Sequence, residues 1–268
     1  MNAQSHIAIS SDGVPIHYDV QRAGAIALVF VHGWCNDRRY WDSQVGYFEP
    51  HYTVVALDLA GHGASGRDRT KWNVPAFGQD IVAVVEQLGL EQVVLIGHSL
   101  GGPVIVEAAR RLPTSVIGLV GADTWWNVEQ IRTPAQVAEL AAPFRTNFVE
   151  AMRTFVRTMF VPTSEPTLVE HNLAGMSAAP PHIGIGAITE YWGNDRNLGE
   201  GLQEVKAPKI AINSGSFRPT NMEAAQRHGI EVMLMSGVGH FVMMENPQTF
   251  NRLLHEAVKK FIHARERQ

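Results

Sequence analysis

The chain holds one cysteine, Cys35, in 268 residues. That excludes a disulfide framework and a cysteine-based metal site. It has no apolar run near the roughly 20 residues that cross a bilayer, so no membrane partner is expected. Charge is sparse and mixed. Against 26 Asp and Glu stand 22 Lys and Arg, a formal net of −4, with both signs scattered along the sequence. A nucleic-acid footprint needs clustered Lys and Arg, and no such cluster occurs. The N-terminus, "MNAQSHIAISSDG", has no basic n-region and no long apolar core. No signal peptide is therefore expected, and the chain reads as soluble and cytoplasmic. There is no H-E-x-x-H and no convincing His/carboxylate grouping, so neither a metal nor a cofactor is expected.

What is present is an apolar core in regular portions. Hydrophobic residues make up 45% of the chain, which suits one large domain or one domain carrying an insert. "HIAI" and "PIHYDV" read as two short strands around the turn Asp12-Gly13. Continuous apolar runs at 25–31, 52–59, 92–97 and 115–122 read as strands covered on both faces. Between them, 76–88 has helical apolar spacing and stops at Gly89, and a second helix spans about 100–111. Alternation of this kind predicts an α/β fold, a mostly parallel sheet with helices on both faces. The rhythm stops over 125–204, where helical stretches are broken by prolines. It resumes at 209–213, with a helix from about 221, a strand at 230–235 and a final helix over 247–264. The expected organisation is a core of 1–124 and 205–268 with an α-helical insert at 125–204.

The sharpest motif is "GHSLGG". Gly97, Ser99 and Gly101 form G-x-S-x-G between a strand and a helix. That context holds the serine on a tight turn with its hydroxyl exposed, and the small flanking residues let the backbones pass. In "FVHGWCND", a buried strand ends at Val31 and the chain turns at His32-Gly33. The backbone N–H of Trp34 is then able to pair with that of Leu100 as donors to a tetrahedral oxyanion, and His32 reads as structural. His240, in "GVGHF" after the last strand, follows the serine in chain order and is the candidate general base. "LAGHGASG" contains Gly61-x-Gly63-x-x-Gly66, but no amphipathic helix opens at Gly66, so dinucleotide binding is declined.

"HGW", "DLAGHGASG", "GHSLGG" and "GVGHF", in this order and on these strands, resemble the α/β-hydrolase fold superfamily. The resemblance covers nearly the whole chain, with 125–204 in the place of a cap. It implies Ser99 as nucleophile, His240 as base, Trp34 and Leu100 as amide donors, and Asp58 as a scaffold residue. Dehalogenases and epoxide hydrolases of this fold carry Asp at the nucleophile position, which Ser99 argues against. The family usually takes its acid from the end of the strand at 209–213, yet "INSGSFRPTN" contains no Asp or Glu. Some members use the preceding strand, which ends here at Asp123. Neighbouring strands are about 4.8 Å apart, so a carboxylate one strand over still reaches the same histidine. The alternative is that Asp123 caps the first turn of the insert. Three rivals fit less well. Glu223 falls in a capping box with Thr220, Glu245 is expected at the surface, and Asp195 lies in the polar exit of the insert.

Phe144, Phe148, Met152, Phe155 and Met159 recur at helical spacing, flanked by Trp125, Trp126, Tyr191 and Trp192. They read either as packing or as the wall of an apolar, adaptable cleft. The expected activity is that of a cofactor-independent serine hydrolase, a carboxylesterase for small or medium esters with an apolar part. The alternatives are a haloperoxidase-like perhydrolase, an amide or carbon–carbon bond hydrolase with the same triad, or a small-molecule receptor that keeps the triad without turnover.

Overall fold

The computed structural model describes residues 5–267, without the side chains of residues 195 and 196. Eight strands form one sheet: β1 (Ser5–Ile9), β2 (Pro15–Gln21), β3 (Ala27–Val31), β4 (Thr53–Leu57), β5 (Val93–His98), β6 (Val116–Ala122), β7 (Lys209–Ser214) and β8 (Ile230–Met235). Their spatial order is β1-β2-β4-β3-β5-β6-β7-β8. β2 pairs antiparallel with β1 and β4, and every pairing from β4 through β8 is parallel. The central strands β3, β4, β5, β6 and β7 are buried throughout. Continuous apolar runs are therefore their sequence signature.

Helices cover both faces. α1 (Asp42–Phe48) and the C-terminal helix (Pro247–Glu266) pack together on one. α2 (Val74–Leu88) and α3 (Gly101–Arg111) pack together on the other. α2 starts where Asn73 accepts the N–H of Ala76 at 2.9 Å and ends at left-handed Gly89, so both of its ends are satisfied locally. The short first helix and the 3-10 turn before it (Arg38–Trp41) had no apolar periodicity to announce them.

Between β6 and β7 lie α4 (Pro134–Thr146), α5 (Phe148–Arg157), α6 (Pro166–Ser177), α7 (Pro181–Gly193) and α8 (Asp195–Glu204). Prolines stand in the first turn of α4, α6 and α7, where the missing N–H costs nothing. α8 packs on α3, and Arg110 pairs with Glu204 at 2.7 Å. After β7 come α9 (Met222–Arg227), then α10 (Val242–Glu245) and the C-terminal helix α11. The N-cap of α9 is Asn221, whose side chain accepts from Ala224. The capping box expected at Thr220 and Glu223 does not form: the cap is Asn221 alone, and Thr220 instead accepts from Asn213 at 2.9 Å. Among the described residues, no helix is long and apolar enough to cross a membrane.

Candidate active site

The carboxyl ends of β3, β5, β6 and β7 meet at one edge of the sheet, and the strained backbone collects there. The non-glycine residues with left-handed φ are Cys35 (55°), Ser99 (53°), Asp123 (44°) and Trp125 (57°). Each such residue costs on the order of 1–3 kcal/mol and persists only where its surroundings hold it. Ser99 is held by its N–H to Ala122 O (3.1 Å) and by Thr124 Oγ1, which donates to Ser99 O at 2.9 Å. The flanking glycines are forced by close backbone approach. A Cβ on Gly97 would lie 2.3 Å from Gly101 O, and one on Gly101 would lie 2.8 Å from Val31 O.

Asp123 is fully buried, and no helix begins at it. Its Oδ1 accepts the N–H of Ser214 at 2.7 Å and the indole N–H of Trp126 at 3.3 Å. Its Oδ2 lies 2.6 Å from His240 Nδ1. The carboxylate therefore fixes the imidazole with its proton on Nδ1 and leaves Nε2 as an acceptor. The stretch without an acid contributes the brace instead. Ser214 gives its N–H to Asp123, and its hydroxyl donates to Val238 O at 2.6 Å, and Asn213 Oδ1 accepts from Thr124 N at 3.1 Å.

Burial pushes the Asp123 carboxyl up from its ordinary range. Burial first, then the charge of Arg218, pushes the His240 imidazole down. The neutral imidazole that a general base requires is thus the favoured form.

The backbone of His240 is held on every side. Its N–H donates to Met159 O at 2.7 Å, and its carbonyl accepts from His98 Nε2 at 3.1 Å. Glu245 Oε1 accepts the N–H of both sequence neighbours, Gly239 (2.9 Å) and Phe241 (3.2 Å), and Oε2 accepts from Ser164 Oγ at 2.5 Å. Glu245 is half-buried and stitches the histidine loop to the α5–α6 connection, so the expected surface position is corrected. Sequence reasoning missed this role because Ser164 is 81 residues away. The side chain of Asp195 lies outside the described residues.

Trp34 and Leu100 stand where the β3 turn meets the start of α3. Among the described residues, neither backbone N–H donates to an acceptor. The Trp34 indole donates to Gly184 O of α7 at 2.8 Å. Cys35 is buried, and burial drives its thiol well above its usual pKa, which leaves it a poor nucleophile. His32 is fully buried with both ring nitrogens engaged, to Gly33 O (2.7 Å) and Leu59 N (3.0 Å), and serves as a brace.

Ser99, Leu100, Trp34 and His240 line one small cavity of about 30 Å³, closed by Phe155 of α5, Met176 of α6 and Met159 of the connection between them. Phe144 and Phe148 pack edge-on against Trp34. Among the described residues, no group of three or more His, Cys, Asp or Glu is arranged to hold a metal ion.

A model of the alpha/beta hydrolase fold matches residues 26–173, more than half of the sequence. The chain belongs to the α/β-hydrolase fold family. Its relatives include a 3-oxoadipate enol-lactonase 2 of Acinetobacter baylyi, 24% identical over 246 residues, 88% of this chain and 89% of that protein. A bifunctional esterase/perhydrolase DCH of Acinetobacter calcoaceticus is 34% identical over 110 residues, 40% of each chain. A solved esterase of Exiguobacterium antarcticum superposes with a TM-score of 0.85 at 20% identity, covering 96% of this chain and all of that one. At that identity the likeness shows the fold. Esterases and other hydrolases are prominent among the relatives of this α/β hydrolase.

Proposed function

We propose that this α/β hydrolase is a carboxylesterase working through Ser99, His240 and Asp123. The observation that carries the reading is the buried 2.6 Å contact between Asp123 and His240 Nδ1, in the same cavity edge as the left-handed Ser99. Ser99 Oγ attacks the ester carbonyl as His240 Nε2 takes its proton. The N–H groups of Trp34 and Leu100 receive the oxyanion, an effect worth roughly 2.7–4 kcal/mol per donor. Collapse breaks the bond to the alcohol oxygen, which takes the proton from His240. Water then attacks the acyl-enzyme by the same route and releases the acid. Asp123 stays ionised and stabilises the imidazolium formed on the way.

The substrate is a small or medium ester with an apolar part. The space beside Ser99 holds little more than a water or two, about 30 Å³. Side chains of the inserted helices therefore move aside for an acyl group. A cyclic ester is the second reading, favoured by the enol-lactonase relative that spans most of the chain. The test is turnover of p-nitrophenyl acetate and butyrate. Sustained multiple turnovers, with a burst of about one equivalent, are expected. Release that stops after one equivalent would instead fit a receptor of this fold.

A further inference from the structure

The room in this site lies outside the serine cavity. A second chamber of about 280 Å³ shares Trp126, Tyr191, Trp192 and Arg218 with the cavity of Ser99 and His240. Its character is different. It is lined by Arg132, Arg218 and the amides of Asn127, Gln130 and Asn194, and among the described side chains no Asp or Glu lines it. Arg218 is exposed, and its guanidinium rests on aromatic faces, 5.0 Å from the centre of Trp126 and 5.1 Å from that of Phe217. Those two rings in turn cover the His240 imidazole, at 5.5 and 5.0 Å between centroids. Among the described residues, no carboxylate forms an ion pair with Arg218. Contact with two rings restrains the guanidinium, and its exposure leaves N–H groups available.

We propose that this chamber is a carboxylate subsite centred on Arg218, so that the substrate is an ester or lactone bearing a second, ionised carboxyl group. The inference rests on the hydrolase reading for the position of the reacting carbonyl. The half of the ester that the inner cavity does not take emerges past Trp126 into the chamber. There, a terminal carboxylate meets a preoriented cation and side-chain amides. A guanidinium offers two parallel N–H groups to a carboxylate, a pairing that neutral esters cannot make. The charge of Arg218 also acts on both buried partners: it opposes the rise that burial gives Asp123 and adds to the fall that burial gives His240. It is therefore close enough to sense an anion at the site.

The test compares paired substrates on the full-length protein. On the acyl side, p-nitrophenyl hydrogen glutarate is set against the p-nitrophenyl methyl diester of the same acid. On the alcohol side, 4-carboxyphenyl butyrate is set against its methyl ester. The wild type should favour the acid in one of the two pairs by roughly tenfold or more in kcat/KM, and the pair that responds identifies which half of the ester enters the chamber. Read at a pH above the acid limb, Arg218→Gln should raise KM for that acid at least about tenfold more than for its neutral partner. Arg218→Lys should restore part of the loss. Calorimetry with free glutarate reads the subsite without turnover, so a failure of the hydrolase reading is distinguishable from a failure of the subsite. Weaker glutarate binding in Arg218→Gln than in wild type is the expected result. Equal binding by the two proteins, or equal kinetic effects of Arg218→Gln on acid and neutral esters, would overturn the proposal.

Discussion

Two aspartates close two strands at the same edge of the sheet, and both are fully buried. Asp58, after β4, accepts the N–H groups of Arg38 (2.8 Å) and Ala64 (2.9 Å) and the guanidinium of Arg38. Asp123, after β6, accepts an amide and an indole N–H on one oxygen and faces His240 Nδ1 with the other. Asp58 is matched by a permanent cation, so its charge is already used in holding the turn from Leu59 to Gly66. Asp123 has no guanidinium of its own, and its direct cationic partner is an imidazole that becomes charged only when it takes a proton. A carboxylate in that position gains interaction energy as the imidazolium forms, which is the property a triad acid needs.

Replacing each acid with its amide separates the two roles. Asp123→Asn should lose about 10⁴ in kcat while the fold stays intact, because the amide favours the wrong imidazole tautomer. Asp58→Asn should keep kcat within about tenfold and instead lower the thermal midpoint, since it removes one of the two carboxylates that pair with the partly buried Arg38 and leaves Asp19 as the other. Measuring kcat and the thermal midpoint of both variants checks the pair. Similar effects of the two substitutions on both quantities would erase the distinction.

A smaller effect is expected one step from the dyad. Glu245→Ala removes the acceptor of the Gly239 and Phe241 N–H groups and the tie to Ser164. Misplacing the base by an ångström costs up to about 10² in rate, so kcat should fall roughly 10–100-fold with KM little changed. A rise in KM at constant kcat would assign Glu245 to substrate binding instead.

The pH dependence of catalysis sharpens the contrast further. Burial and Arg218 lower the pKa of His240, so kcat/KM should be flat at neutral pH and fall only on the acid side, below the ordinary histidine value of about 6.5. Arg218→Gln should move that acid limb upward. An unmoved limb would detach Arg218 from the dyad.

Stability responds more gently. Burial lowers the pKa of His32, His62, His98 and His240, that of His62 to about 3. The unfolded chain binds protons that these folded groups refuse. Their contribution is present above about pH 6.5 and is lost as pH falls toward their folded values. Burial raises Asp80 and Asp123, which acts in the opposite direction above about pH 4. The histidines outnumber the carboxyls, so the urea midpoint should drop between pH 7 and pH 5.

The sheet was legible because parallel strands covered on both faces must be continuously apolar, and 92–97 or 115–122 satisfy little else. The neighbourhood of Asp123 and His240 was legible for a related reason. Strand spacing sets the end of β6 two strands from that of β8, after which His240 follows, and "INSGSFRPTN" at the end of β7 between them offers no competing carboxylate. Glu245 was not legible, since its partners are backbone N–H groups and a serine from a distant connection. The polar chamber escaped notice because it exists only where Arg218, after β7, meets Arg132 and Asn194 of the inserted segment. Periodicity over the insert revealed its apolar stripe and could carry no sign of that meeting.

The most direct test of the account is covalent. Treating the wild type with a fluorophosphonate and mapping the adduct by peptide mass spectrometry should give a single modified site, Ser99, with turnover lost in proportion. Ser99→Ala, which should lose roughly 10⁶ in kcat, should take up no reagent. Undiminished labelling of Ser99→Ala, or an adduct on Cys35 or another serine that accompanies the loss of activity, would contradict it.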